Sequence, residues 1–438
     1  MANRRLPLVT AAMPETPASR DPDQRYAPRA QKARRQLPLE LAARAVDQNT
    51  RPIYAVWEIT LACDLGCQHC GSRAGRARPD ELSTKQCFEL IAQMASLGIR
   101  EVTLIGGEAY LREDWTEIIA EVRAKGMDCT MTTGGRGVTV ARAQAAAKAG
   151  LQSVSVSLDG VGATHDRLRG VSGSFESAVA AIKNLRASGI PVSVNSQINR
   201  LTQNQLPQVL DVLIENGCHG WQLQLTVPMG RAADAPEVLL QPYELLEVFP
   251  LIAGLKPRAD AAGVRIYPGN NVGYFGPFES LLRAHSPVGH GGSCGAGRST
   301  LGIEADGTLK GCPSLHTEEW AGGNILDESL KDVWERSARL RYTRDRTVED
   351  LWGYCRTCYY ATTCMAGCTW MAHSLFGKPG NNPYCHHRAL EMDRAGKRER
   401  VVLSQAAPGR PFDRGTWDLL VEDVIKDSES SVTHPGTL

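Results

Sequence analysis

From Tyr54 to about Met229 the chain alternates two kinds of stretch. Short runs rich in Val, Ile and Thr give way to longer segments whose apolar residues recur every three or four positions, the signatures of strand and of amphipathic helix. The runs predict strands at residues 54–60, 101–105, 128–132, 153–158, 192–197 and 221–226. Helices are predicted between them at 84–97, 115–125, 138–149, 174–188 and 203–216. In the first of these, Leu90, Ile91, Met94 and Leu97 share one face, as a helix covering a sheet requires. Gly98, Gly126, Gly150, Gly189 and Gly217 follow the helices where a C-terminal cap wants positive φ. Six βα units with right-handed crossovers give a parallel sheet. A doubly wound sheet and a partial barrel share this linear pattern, and in both ligands collect at the carboxyl ends of the strands.

The flanks are less regular. Residues 1–35 are rich in Arg, Pro and Ala and read as a flexible arm, with one short helix expected at 37–46. Residues 230–290 show little periodicity, and 269–276 reads as a loop. Residues 298–313 read as a hairpin turning at Ala305-Asp306-Gly307. Near the end, 417–424 is expected to be a docked helix and 427–438 to lack structure. The resulting division is an arm (1–50), a first domain (51–235), a bridging region (236–290), a second domain (291–390) and a tail (391–438).

Composition narrows the chemistry. A length of 438 residues allows two or three domains, and a formal charge of +1 argues against nucleic acid as a partner. No apolar run approaches the ~20 residues of a membrane span, and the first twenty residues have no sustained apolar centre, so neither a membrane nor a secretory signal is expected. Thirteen cysteines at metal-like spacings then point to a reducing cytoplasm and to metal ligation.

Three of them, Cys63, Cys67 and Cys70, stand in ITLACDLGCQHCGSR just after the first predicted strand. Three thiolates this close can hold three corners of a cubane iron–sulfur cluster, leaving one iron open to a non-protein ligand. A zinc site would need a fourth ligand, and the only local candidate, His69, is poorly placed beside Cys70.

This CxxxCxxC loop resembles that of the radical S-adenosylmethionine (radical SAM) superfamily. The resemblance implies an open partial (βα)6 TIM-type barrel and an open iron chelated by SAM. It also implies reductive cleavage of SAM to a 5′-deoxyadenosyl radical that abstracts hydrogen from a substrate. Gly106-Gly107-Glu108-Ala109, after the second strand, resembles the family's GGEP motif, which binds the SAM amino group; Ala109 replaces the usual Pro. Thr132-Thr133-Gly134 stands where many relatives have Thr-Asn-Gly. Ser157-Leu158-Asp159-Gly160 with His165-Asp166-Arg167-Leu168-Arg169 resembles the segment whose Ser157 and Arg169 would contact the SAM ribose and carboxylate. His69 would pack near the adenine, and Asn195, Gln197 and Leu225, at the ends of the fifth and sixth strands, would face the pocket.

Farther on, Cys294, Cys312, Cys355, Cys358, Cys364, Cys368 and Cys385 resemble the SPASM domain, with two auxiliary iron–sulfur clusters. The resemblance assigns Cys355, Cys358, Cys364 and Cys385 to one cluster and Cys294, Cys312 and Cys368 to the other. The latter lacks a cysteine as fourth ligand, leaving His290 or an open iron; a pair of zinc knuckles is the alternative for the region. In all, three [4Fe-4S] clusters are expected. Cys87, Cys129 and Cys218 lie away from the ligand end and read as buried small hydrophobes.

The function implied is modification of a ribosomally made precursor peptide, with a flavodoxin or ferredoxin as reductant. Pro313 after Cys312, where sulfatase-maturating relatives carry Asp, argues against sulfatase maturation. Oxidation or rearrangement of a small metabolite or cofactor precursor is the second reading, and a non-catalytic metal-bearing scaffold the third.

Overall fold

A computed structural model describes residues 37–286 and 290–424; the expected arm at 1–35 and the stretch 427–438 lie outside the described residues. Seven strands run parallel and in chain order across one sheet: β1 (Tyr54–Thr60), β2 (Glu101–Gly106), β3 (Asp128–Thr133), β4 (Ser153–Ser157), β5 (Val192–Ile198), β6 (Gly220–Leu225) and β7 (Arg265–Pro268). On the other side of β1 lies β8 (Thr300–Ile303), also parallel to it. A hairpin then leads into antiparallel β9 (Thr308–Lys310) and β10 (Gly323–Asn324). The result is a ten-stranded open sheet with β10 and β7 at its edges.

The first six strands match the predicted βα units to within one residue at each end. The covering helices do so nearly as well, beginning with Thr84–Leu97, which Ser83 and Gln86 start with a capping box and Gly98 ends in the left-handed region. Within the poorly periodic 230–290 stretch lie β7 and a helix, Leu245–Ala261. Both were hidden for physical reasons. β7 is four residues ending in Pro268, and the helix contains Pro250 and Pro257, which sequence patterning reads as breaks. By length and composition Pro236–Ala261 is the one candidate span among the described residues, but 61% of its apolar window is buried inside the fold.

The sheet register sorts side chains into two faces. Trp57, Leu104, Met131, Val154, Val194 and Trp221 lie on the helix-covered face, each at most 2% exposed. The other face carries Thr103, Thr130, Thr132, Ser155, Ser157, Asn195, Gln197, Gln222 and Gln224. A parallel sheet buried on both sides would be apolar on both. One polar face means that the side away from the helices is built to meet polar or hydrated partners.

Two flanking expectations are corrected. The segment 417–424 is not a helix: β12 (Thr416–Asp423) pairs antiparallel with β11 (Lys397–Gln405). Trp417 and Val401 point inward while Asp418 and Leu420 do not, a period of two rather than 3.6. The tail from 391 onward is therefore partly an ordered hairpin. Near the other end the helix is Ala45–Asn49 rather than 37–46. It forms where fully buried Asp47 is drawn into ion pairs with Arg44, Arg341 and Arg344, at 2.7, 2.8 and 2.9 Å.

Candidate active site

The loop that follows β1 carries Cys63, Cys67 and Cys70, and three different elements hold it. On its first side the Gly106–Glu108 turn hydrogen-bonds to it backbone to backbone: Gly107 N donates to Thr60 O and Glu108 N to Ala62 O, both at 2.8 Å. A Cβ on Gly106 would lie 2.1 Å from Thr60 O, and one on Gly107 2.0 Å from Ala62 O. These glycines are thus required by contact with the cysteine loop itself, a stronger reason than room for a ligand. On the second side Gly66 N donates to Arg169 O and Gln68 N to Leu168 O, at the end of the helix Ala163–Arg169. On the third, Arg231 donates from its backbone to Cys70 O and from Nε to Cys67 O, at 3.0 and 2.6 Å. Arg231 did not stand out in the sequence, because it belongs to no motif and acts on backbone carbonyls.

Charged groups converge on the thiols. Arg169 Nη1 lies 3.7 Å from Cys67 Sγ, and its Nη2 pairs with fully buried Asp159 at 2.6 Å. Burial opposes ionisation of Asp159, yet Arg169 and the nearby histidines hold its carboxyl below the usual carboxylate range. His69 Nε2 lies 3.5 Å from the same carboxylate, and burial pushes its imidazole down to about 4, so it is neutral at pH 7. His165 accepts a hydrogen bond at Nδ1 from Asp159 N. Asp166 instead caps the next helix, accepting from Gly173 N, Phe175 N and the Ser174 hydroxyl. The HDRLR segment therefore combines one structural carboxylate with one guanidinium aimed at the cysteines.

Glu108 accepts from the Thr133 hydroxyl and, at 2.6 Å, from Gly134 N. Burial raises its carboxyl to about 7 against those donors. Thr133 thus supplies a contact at the position where the sequence showed only a missing amide. One Glu108 oxygen, the Cys63 sulfur and one Asp64 oxygen lie within 4.8 Å of one another. Ser157 and Asn195 sit side by side in register on the polar face, and Asn195 Oδ1 is buried without a partner. His69 Nδ1 and Arg169 Nε are likewise unpartnered. Leu225 departs from expectation. It lies beside Ile198 on the helix-covered face, 1% exposed, and its backbone is tied to Asn271.

The structure also groups the later cysteines. Cys355, Cys358, Cys364 and Cys385 line a single small cavity. Burial, then the proximity of the other three thiols, pushes the Cys364 thiol well up. Cys368 is raised by burial and by Cys294 and Cys312, and Cys312 is pushed up to about 11 by burial and Cys294. The three-cysteine set is thus assembled from the β8–β9 hairpin and from segments on both sides of it. His290 packs its ring 5.2 Å from Phe275, which stacks on Tyr360 in the wall of the four-cysteine cavity. Cys87, Cys129 and Cys218 are buried, and all thirteen thiols are free of disulfides.

Comparison with known proteins gives a family model for the radical SAM superfamily matching residues 57–211. The mycofactocin maturase MftC of Mycobacterium ulcerans is 31% identical over 367 residues, 81% of this chain and 95% of that one. The chain belongs to the radical SAM superfamily. A model for the SPASM iron–sulfur cluster-binding domain matches residues 294–359 of this radical SAM enzyme. The AdoMet-dependent heme synthase of Nitratidesulfovibrio vulgaris is 28% identical over 359 residues, covering 77% of this chain and 92% of its own. Among solved structures, SuiB of Streptococcus suis bound to the precursor peptide SuiA shares the fold at TM-score 0.60 and 17% identity, over 77% of this chain and 76% of that one. Native anSMEcpe with bound AdoMet does so at TM-score 0.62 and 16% identity, over 78% of this chain and 96% of that one.

The residues present suit SAM and iron–sulfur groups. Unpartnered buried atoms of His69 and Arg169 lie in or against a loop of three thiols free of disulfides, and that of Asn195 lies beside Ser157 at the end of β4 and β5, an arrangement that is costly unless something polar completes it. Four thiols around one cavity suit a fully ligated cluster in the same way.

Proposed function

We propose that this radical SAM enzyme is a maturase that modifies a ribosomally made precursor peptide. The observation that carries the reading is one chain holding both the three-thiol loop, with the Glu108 and Arg169 elements docked on it, and two further sets of thiols in the following module. With SAM bound and one electron delivered by a reductant, the open-iron cluster would supply hydrogen-atom abstraction from the substrate. Cys63, Cys67 and Cys70 would hold that cluster. Glu108 would receive the SAM amino group, with Thr133 and Gly134 fixing its carboxylate. Ser157 and Asn195 offer polar atoms to the ribose, and Arg169, oriented by Asp159, offers a cation to the carboxylate. Neutral His69 packs at the adenine end.

We assign residues 51–235 to the barrel and 291–390 to the auxiliary module. Cys355, Cys358, Cys364 and Cys385 would bind one auxiliary [4Fe-4S] cluster, and Cys294, Cys312 and Cys368 the other, for three in all. Closing a bond or oxidising a carbon releases an electron that such clusters can take. A flavodoxin- or ferredoxin-type reductant in a reducing cytoplasm fits this need. The polar face away from the helices suits a peptide backbone, and two relatives, a maturase and a structure with bound precursor peptide, support that substrate class.

The heme synthase relative favours a second reading, oxidation of a small cofactor precursor. Anaerobic reconstitution with SAM, dithionite and the small peptide encoded beside the gene separates the two. Peptide maturation yields 5′-deoxyadenosine together with a mass-shifted peptide. An unchanged peptide, with 5′-deoxyadenosine formed only when a porphyrin-type precursor is added, selects the second reading.

A further inference from the structure

The last of the three loop cysteines depends on the far end of the chain. The turn after Cys70 is crowded: Gly230 faces Cys70 O and Gly71 O so closely that a Cβ there would lie 2.4 Å from each. Across this turn lies the strap 409–415, which joins β11 to β12. Phe412 N donates to Gly71 O at 2.9 Å, and Gly230 N donates to Asp413 O at 2.8 Å. Arg73 Nε donates to Asp413 Oδ1 at 2.9 Å and to Arg410 O at 3.1 Å, across 340 and 337 residues. Asp413 is 1% exposed and also accepts from Gly409 N and Arg410 N, at 2.5 and 2.7 Å. A second carboxylate on Arg73, half-exposed Asp234, pairs with it at 2.6 and 2.9 Å and ties it to the 229–234 turn. Arg73 and Phe412 both hold φ in the left-handed region, 50° and 56°, a conformation that non-glycine residues keep only when surrounding contacts enforce it. The strap also reaches the auxiliary side. Lys310, two residues before Cys312, sits 3.8 Å over the Phe412 ring, and Arg410 and Arg414 pair with Glu318 and Glu319.

We infer that the strap is a clasp for the SAM-binding cysteine loop and that Asp413, acting through Arg73, is a positioning residue that fixes the Cys70 corner. The inference rests on the radical SAM reading of that loop. Cys63 and Cys67 have anchors within the barrel, the Gly106–Glu108 turn and the Arg169 helix end. Beyond Cys70 the loop is tied back to Leu61 and Cys63 through Gly75, and the intervening turn at Gly71–Arg73 is held by the 229–234 turn and the clasp, so the turn behind the third corner is completed by the chain's far end.

The test uses the full-length reconstituted protein with Asp413→Ala, Asp413→Asn and, as control, Glu422→Gln, which breaks surface ion pairs to Arg398 and Arg400 in the adjoining hairpin. Three readouts are taken: iron loss to EDTA, the EPR spectrum of the reduced protein with and without SAM, and KM for SAM in substrate-free 5′-deoxyadenosine formation. Losing the buried carboxylate that joins Arg73 to the strap should release iron from the Cys63, Cys67 and Cys70 site about tenfold faster and raise KM more than it lowers kcat. The SAM-induced EPR change should weaken while auxiliary signals persist; Glu422→Gln should match wild type. Unchanged iron retention and SAM response in both Asp413 variants would overturn the inference. So would uniform loss of all cluster signals in both, which would mark a general folding role. A wild-type protein whose EPR ignores SAM would instead overturn the proposed function and leave the clasp without a cluster to position.

Discussion

Replacing Gly107 by alanine adds one methyl group where the second-strand turn presses on the cysteine loop. Its carbon would lie 2.0 Å from Ala62 O, 2.5 Å from Ala62 C and 2.8 Å from Cys63 Cβ. Backbone cannot rotate aside as a side-chain tip can, so the cysteine loop and the Gly106–Glu108 turn must part. Parting breaks Gly107 N to Thr60 O and Glu108 N to Ala62 O, each worth about 1 kcal/mol net. Residual overlap adds about 1–3 kcal/mol, for a total of about 3–5 kcal/mol concentrated at Cys63. Gly98→Ala is the matched control. Gly98 has positive φ, 93°, and nothing lies within 4 Å of its added Cβ, so only the conformational cost of about 1–2 kcal/mol applies. After anaerobic reconstitution Gly107→Ala should lack SAM-dependent 5′-deoxyadenosine formation and the iron of that site while keeping auxiliary iron. Gly98→Ala should cleave SAM normally and only melt earlier. Normal iron and normal SAM cleavage in Gly107→Ala would refute the argument that this contact sets the loop.

Other outcomes follow from the same site. Asp159→Asn leaves Arg169 as a buried cation without its partner, so guanidinium denaturation should show a loss of about 3 kcal/mol and SAM titrations a weaker affinity. His165 is held by burial, and secondarily by Arg169, at about 4 against about 6.5 when unfolded. The unfolded chain therefore takes the proton first, and stability present above pH 6.5 is lost as pH falls towards 4. The cost is about 2 kcal/mol at pH 5, and His165→Asn, which keeps an acceptor for Asp159 N, should remove that slope from denaturation curves. Cys355→Ala should lower bound iron by about one cluster's worth, whereas Cys87→Ala, a thiol on the buried face of the helix Thr84–Leu97, should leave iron content unchanged.

Much of the architecture was legible because local and global preferences agree. Alternating periods placed β1–β6 and their helices, and helix-ending glycines such as Gly98 and Gly150 take the φ their positions called for. The CxxxCxxC loop was legible from its spacing, whereas the division of the later cysteines into two sets came from the resemblance to the SPASM domain. What stayed hidden has two causes. One is short or proline-bearing elements, β7 and Leu245–Ala261, whose period is too brief or interrupted. The other is contact between distant segments. Arg231 on Cys67 O, Asp413 on Arg73 and Asn271 on Leu225 act through backbone or buried pairs that leave no local pattern. The segment 417–424 was misread as a helix because exposed Leu420 and Val421 run on from Leu419 and mask the period of two set by Trp417 and Leu419.

The central claim is that the loop of Cys63, Cys67 and Cys70 leaves one iron free for SAM. Electron–nuclear double resonance of the reduced protein, with SAM labelled by ¹⁵N at its amino group and ¹⁷O at its carboxylate, tests this most directly. Direct hyperfine coupling to both nuclei, absent in Cys67→Ala while the auxiliary signals remain, is the predicted result. A reduced cluster spectrum without coupling to either label would contradict it.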